Sequence, residues 1–203
     1  VMDVQYRIPD LEGFLKTNVF IGEKKVDITC LDPSVSIHYT TDGSTPTLES
    51  PKYDGNLVLT ETTDLTLRVF RPTGKPSDIV KTHFEKTEYS PATTAAPSNP
   101  GLKATWYDFK GKTCAEIAAA PVKKTYRVED VTIPRGVKSF IIGLTYKGYI
   151  NIPEDGIYSF YLSSDDGSML YIDGMQVIDN DGLHATGEVT GQAALKQGYH
   201  PIE

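Results

Sequence analysis

Residues 148–182, GYINIPEDGIYSFYLSSDDGSMLYIDGMQVIDNDG, constrain the fold more than any other part of the chain. Ile157, Tyr158, Phe160, Tyr161 and Leu162 are β-branched, aromatic or aliphatic and are interleaved with serines, the composition of a strand. Asp173-Gly174 stands between the apolar runs MLYI and MQVI. An Asp-Gly pair in that setting predicts a tight hairpin, because both turn residues must adopt positive φ. Around this hairpin lie Asp165, Asp166, Asp173, Asp179, Asn180 and Asp181. Such hard oxygen groups on neighbouring loops suit a Ca²⁺ ion, and they are equally the residues that ordinary turns use.

The rest of the chain is read as all-β. Strands are expected at Val26–Thr29, Val35–Tyr39, Leu57–Leu59, Leu65–Phe70, Leu102–Tyr107, Lys138–Leu144, Gly148–Ile152, Ile157–Leu162, Ser168–Ile172 and Gln176–Ile178. The segment Thr113–Ala120 is the one helical candidate, ended early by AAAPV. Between the two strand series, residues 90–100 read SPATTAAPSNP, with three prolines, no charge and no large apolar side chain. That composition marks a linker. Two antiparallel β-sandwich domains, 1–89 and 101–203, are therefore expected on either side of it, each with its own turns. Asp42-Gly43 reads as a hairpin turn in the first of them.

Composition removes several function classes. The net charge is −7, and no Lys/Arg patch exists that would neutralise a phosphate backbone, so nucleic acid is not an expected partner. No apolar run approaches the length of a membrane-spanning helix. Cys30 and Cys114 fall in different expected domains and read as free thiols rather than a bridge. The chain starts at Val1 and stops at Glu203 within GYHPIE, which looks like the beginning of a strand; a fragment of a longer protein is expected, its second domain incomplete.

Both halves resemble known families. YRIPDLEG (6–13), NVFIGEKKVDITC (18–30), SIHYTTDGSTPT (36–47) and SPKYDG (50–55) resemble the C-terminal immunoglobulin-like sandwich of bacterial family 20 glycoside hydrolases, the chitobiase and β-N-acetylhexosaminidase group. GLKATWYD (101–108), residues 146–174 and VIDNDGLH (177–184) resemble the fourteen-kilodalton β-sandwich first described in anthrax protective antigen, which occurs in glycosidases, toxins and fungal adhesins. The resemblance implies a secreted, outer-surface or periplasmic setting, a catalytic barrel upstream in cis, and a glycan partner containing N-acetylhexosamine.

Hydrolysis in the first of these families needs an Asp-Glu pair, the Glu as general acid and the Asp orienting the substrate acetamido group. The order Asp-Glu occurs nowhere here. Glu129-Asp130 and Glu154-Asp155 are reversed and sit in turn-forming contexts. The four histidines (38, 83, 184 and 200) have neither metal spacing nor a nucleophile motif beside them. The chain is therefore expected to be non-catalytic.

In fungal adhesins of the second fold two consecutive aspartates hold Ca²⁺, and the ion coordinates sugar hydroxyls. By position Asp165 and Asp166 match that pair, with Asn180 and Asp181 available to complete the metal shell. Asn180, His184 and Trp106 join the two aspartates as expected carbohydrate contacts. The residues themselves leave two readings open. Adjacent carboxylates repel unless a cation neutralises them, yet Asp165 and Asp166 can also cap a turn by accepting backbone N–H bonds. Trp106, Tyr107, Tyr146 and Tyr149 can likewise stack on sugars or fill the core, and His184 can meet a ligand or face solvent. The rival to glycan binding is a pair of structural or protein-joining sandwiches without a ligand.

Overall fold

The computed structural model describes residues 8, 10–94, 96–133 and 142–203, and the chain divides into two compact units, Val1–Glu88 and Tyr89–Glu203. In the first unit β1 (Leu11–Glu12), β2 (Thr17–Phe20), β3 (Lys24–Lys25), β4 (Thr29–Cys30), β5 (Ser36–Thr40), β6 (Val58–Leu59), β7 (Thr63–Phe70) and β8 (Val80–Lys86) follow one another. A four-stranded sheet runs β2-β8-β7-β5, with two small ribbons, β1-β4 and β3-β6, beside it. All pairs are antiparallel except β2 with β8. Leu65, Leu67 and Phe84 face Phe20, Val26, Ile28 and Leu59 in a closed apolar core.

The expected strand at Val26–Thr29 forms ladder bonds only from Thr29 onward. Val26 and Ile28 are buried without joining a sheet, and their backbone polar groups find other partners, as buried ones must. The Val26 N–H donates to the Leu57 carbonyl. The Tyr53 hydroxyl donates to the Val26 carbonyl at 2.8 Å and accepts from the Ile28 N–H at 3.0 Å. Asp42-Gly43 does not close a tight hairpin either. Loop 41–50 returns the chain so that residues 51–53 lie along β5, with Tyr39 N–H donating to Pro51 O and Tyr53 N–H to Ile37 O. The first residues of the YRIPDLEG motif lie outside the described residues.

The second unit holds β9 (Leu102–Tyr107), a 3-10 helix (Cys114–Ala119), β10 (Val122–Val128), β11 (Gly143–Ile152), β12 (Gly156–Ser164), β13 (Ser168–Ile172), β14 (Met175–Asn180), β15 (Gly187–Leu195) and β16 (Gly198–Ile202). Six of these strands form a sheet ordered β10-β9-β11-β16-β13-β14, and β12 pairs with β15 as a two-stranded ribbon packed against β13 and β14. Ile152, Ile172 and Leu195 centre the core between sheet and ribbon, with Tyr158, Phe160, Leu170 and Ile202 around them. The expected helix is a 3-10 turn closed by a capping box between Thr113 and Glu116. Of the expected strand Lys138–Leu144, positions 138–141 lie outside the described residues, and Gly143 and Leu144 begin the long β11.

Asp173-Gly174 does make the expected hairpin. Ile172 pairs with Met175, and both turn residues have positive φ, 53° and 76°, the pattern of a type I′ turn. Gly191 on β15 allows the ribbon to lie directly on β14. A Cβ at that position would stand 2.2 Å from the carbonyl oxygen of Val177.

The segment 90–100, with the composition of a linker, begins as part of this second unit. Ser90 forms a parallel bridge to Leu195, its N–H donating to Ala194 O at 2.9 Å and its carbonyl accepting from the Lys196 N–H at 3.0 Å. Thr93 N–H donates to Tyr199 O. Tyr89 lies under the ammonium of Lys196, 5.6 Å from the ring centroid. Neither Cys30 nor Cys114 is in a disulfide. No helix among the described residues is long and apolar enough to cross a membrane.

Candidate functional site

The acidic loop sits where four strand ends meet. Ser164 pairs with Gly187 at the end of the ribbon, and Ser168 pairs with Asn180 at the end of the β13-β14 hairpin. The two connecting loops, 165–167 and 181–186, are thereby placed side by side. Hydroxyl and amide groups fasten the ends together: Ser164 Oγ lies 2.6 Å from Ser168 Oγ, and Asn180 Nδ2 donates to Ser164 Oγ at 3.1 Å. Asn180 Nδ2 also donates to the Gly187 carbonyl at 3.4 Å. That carbonyl can only accept, so it fixes the amide orientation and leaves Asn180 Oδ1 as an acceptor.

Asp165 and Asp166 are both exposed and are joined by a cis peptide bond. Asp165 Oδ2 accepts from the Thr186 hydroxyl at 3.3 Å, and Asp166 Oδ1 accepts from the His184 N–H at 3.1 Å. Each carboxylate thus ties loop 165–167 to loop 181–186. An ionised carboxylate has about four lone-pair sites, so one such bond leaves most of its accepting capacity open.

Both ring nitrogens of His184 meet backbone carbonyls. Its Nδ1 lies 2.8 Å from Ala185 O and its Nε2 3.0 Å from Asn180 O. Neutral imidazole has one N–H to offer, whereas these two carbonyls ask for two. They hold the imidazole pKa above its ordinary value, ahead of the smaller contributions from the carboxylates of Asp166 and Asp165. The carboxylates of Asp166 and Asp165 are among the groups that favour its protonated form.

Asp181 has a bracing position. Its Oδ1 accepts from the Cys114 N–H at 2.7 Å and the Gly182 N–H at 2.8 Å, joining the loop to the start of the 3-10 helix. Burial opposes ionisation of Asp181, but the N–H groups of Cys114 and Gly182 outweigh it and hold the carboxyl below its ordinary value. Burial, and then the bond to Asp181, push the Cys114 thiol up to about 12. Such a thiol is unreactive at neutral pH. Gly167 packs against the same group, the position of a Cβ there being 2.7 Å from Asp181 Oδ1.

The structure does not bring Trp106 to this loop. It lies on β9, paired with Lys124 and Leu144, with the Lys123 ammonium 5.4 Å from its ring centroid. Two strands, β11 and β16, separate β9 from β13, which is about 14 Å across the sheet. Tyr107 and Tyr146 are half-buried, and the Tyr146 hydroxyl donates to Thr132 O. Tyr149 is exposed on β11.

Among the described residues no three His, Cys, Asp or Glu side chains converge as a metal ion would require. A cation at this loop would take the two carboxylates of Asp165 and Asp166 and the Oδ1 of Asn180. Its remaining oxygens would come from backbone carbonyls, water or a ligand. Oxygen groups are the kind of donor that Ca²⁺ takes.

Sequence reasoning passed over two features of this unit. Asp173 reads as a turn residue, yet its Oδ2 accepts from Ser90 Oγ and lies 2.7 Å from Nδ1 of the fully enclosed His200. Tyr161, taken simply as a strand residue, is 66% exposed. The alternation of Tyr158 and Phe160 with Ser159 and Ser163 is the signal that would have placed it outward.

Comparison with known proteins bears on both units. A family profile described as the PA14 domain matches residues 98–203, and one described as Fn3 associated matches residues 26–84. A β-hexosaminidase of Porphyromonas gingivalis (strain ATCC BAA-308 / W83) is 28% identical over 214 residues, covering 98% of this chain and 27% of the relative. The chain thus spans about a quarter of that protein's length. Among solved structures, an anti-sigma factor domain-containing protein shares 14% identity at a TM-score of 0.42, over 82% of this chain and 64% of its own. A similar protein from Clostridium clariflavum shares 15% at 0.39, over 83% of this chain and 69% of its own.

Proposed function

The chain belongs to the PA14 domain family, and on that premise we propose that it is a non-catalytic, carbohydrate-binding accessory region of a β-N-acetylhexosaminidase of the family 20 type. The likeness to a β-hexosaminidase along nearly the whole chain supports the choice of parent enzyme. Hydrolysis of terminal N-acetylhexosamine is assigned to a catalytic barrel joined to this region, acting outside the cytoplasm. The accessory region holds glycan close to that barrel, which raises the effective substrate concentration without adding chemistry.

The observation that carries the binding role is the exposed Asp165–Asp166 pair, each carboxylate keeping open acceptor positions where two loops meet. Ca²⁺, when bound, supplies a charge centre to which a sugar diol adds its oxygens. Asp165 and Asp166 would hold it, with Asn180 Oδ1 beside them. Asp181 is left out of the shell we propose, because its Oδ1 already serves Cys114 and Gly182. Trp106 is left out of the sugar site by its place on β9.

Isothermal titration of the whole chain tests this reading, first with Ca²⁺ and then with N-acetylglucosamine in the presence of Ca²⁺. Heat is expected in both steps, and Asp166→Ala should abolish it. A purely structural role is the second reading, favoured by the bonds from the His184 N–H and the Thr186 hydroxyl, through which the two carboxylates tie the loops together without a ligand. No heat with Ca²⁺ and an unchanged melting temperature in its presence would leave that second reading standing.

A further inference from the structure

The β12-β15 ribbon has one face in the core and one in solvent. Tyr158 and Phe160 pack inward, so Ile157, Ser159, Tyr161 and Ser163 point outward, because neighbouring strand residues alternate. The register places Gln192 beside Ser159, Thr190 beside Tyr161 and Glu188 beside Ser163. One pair beyond the last, past Ser164 and Gly187, Thr186 donates to Asp165. The outward face is therefore a continuous strip that leads into the acidic loop, with one exposed aromatic ring in its middle.

We propose that this strip is an extended subsite for an uncharged oligosaccharide chain, Tyr161 stacking on one sugar ring while another occupies the Asp165–Asp166 loop; the proposal rests on the glycan-binding reading above. Tyr161 stands four residues from Asp165, about 13 Å along the strand, so the ligand must be longer than a monosaccharide to touch both. The chemistry of the strip matches a neutral polyol. Ser159, Ser163, Thr190 and Gln192 carry hydroxyl and amide groups that both donate and accept, Gln192 Nε2 donating to Ser159 Oγ at 3.2 Å, and Glu188 is the single charged residue among the paired positions from 159 to 163. Nothing there would neutralise a phosphate or a row of acids. Its size also argues against a protein partner. A nine-residue strand and the width of two strands make a surface of about 300 Å², well short of the roughly 800 Å² per side of a stable protein interface.

The test compares N-acetylglucosamine with its β1,4-linked hexamer on the full chain in the presence of Ca²⁺. The hexamer is expected to bind more tightly than the monosaccharide. Tyr161→Ala should weaken the hexamer by about tenfold while leaving the monosaccharide unchanged, and Tyr161→Phe, which keeps the ring, should retain the hexamer's affinity. Asp166→Ala should weaken both ligands. Equal affinity for monosaccharide and hexamer, or a Tyr161→Ala protein that binds the hexamer like the unaltered chain, overturns the subsite and leaves the loop reading intact. So does a Tyr161→Ala variant whose change is in sedimentation, which would mark the strip as a contact between two copies. Failure of the unaltered chain to bind either sugar overturns the glycan reading and the subsite together.

Discussion

Ser90 Oγ donates a hydrogen bond of 2.5 Å to Asp173 Oδ2, joining two residues 83 positions apart. The same carboxylate oxygen lies 2.7 Å from His200 Nδ1, and His200 Nε2 lies 2.8 Å from the Lys196 carbonyl. His200 is fully enclosed and the Asp173 side chain is 15% exposed. One turn carboxylate thus fastens the segment before β9, the β13-β14 hairpin and the last strand.

Asp173→Gly isolates that role, since glycine adopts the positive φ of the turn while removing the carboxylate. Leaving Ser90 and His200 without their acceptor should cost about 2 kcal/mol, read as a lower urea midpoint with an unchanged m-value. A variant as stable as the parent would show that the carboxylate contributes nothing beyond the turn.

Gly191→Ala should be among the most damaging single changes in the second unit. Its methyl would sit 2.2 Å from the Val177 carbonyl oxygen, so the ribbon must lift from β14. A loss of about 3 kcal/mol is expected, as for overpacking in a closed core. Gly174→Ala meets no atom within 4 Å and pays only for its positive φ, about 1–2 kcal/mol. Thermal melts of the two variants, compared directly, check the order.

His184 should titrate above the ordinary imidazole value of about 6.5, because two carbonyls and two carboxylates favour its cation. A pKa raised by folding means that the cation's contribution is complete below the unfolded value and is lost as pH rises through the folded one. Two-dimensional NMR of the ring carbons follows the titration. The Asp165→Asn/Asp166→Asn protein should titrate lower than the parent but still above the ordinary value, since the carbonyls of Ala185 and Asn180 remain. A titration at or below 6.5 in the parent would contradict the carbonyl geometry.

Cys114 should resist alkylation at pH 8, where a thiol with a pKa of about 12 has almost no thiolate. Asp181→Asn removes the nearby negative charge and should speed iodoacetamide labelling at this position. Burial, the larger cause of the raised value, persists in that variant, so labelling should stay slower than for an exposed cysteine. Peptide mass spectrometry separates Cys114 from Cys30, and equal rates in parent and variant would exclude the role given to Asp181.

How much of this was legible in the sequence depended on whether a local rule governed the outcome. Asp173-Gly174 needed only two adjacent residues that tolerate positive φ. The strands 157–162 and 168–172 carried their own propensity, as did the early end of the 3-10 helix at Ala120-Pro121. β10 was missed because VKKTYRV places Lys124 where alternation would put an apolar side chain, and its burial pattern is mostly exposed. Val26–Ile28 looked like a strand because it is buried, but Tyr53 and Leu57 satisfy its backbone from afar. In the acidic loop the sequence identified the residues but not their partners. That Asp181 would brace Cys114, and that His184 would turn both nitrogens to carbonyls, depends on where distant strands end.

The docking of Ser90 and Thr93 bears on how this module can be moved between proteins. A cut made by composition, anywhere in the run of alanine and proline after Thr94, would produce a cassette lacking Ser90. Leu195 would lose its parallel neighbour, and Asp173 the hydroxyl that donates to it. A graft that begins at Tyr89 keeps both. The inheritable unit is therefore longer than the stretch that carries the family likeness, and its first residues look like padding.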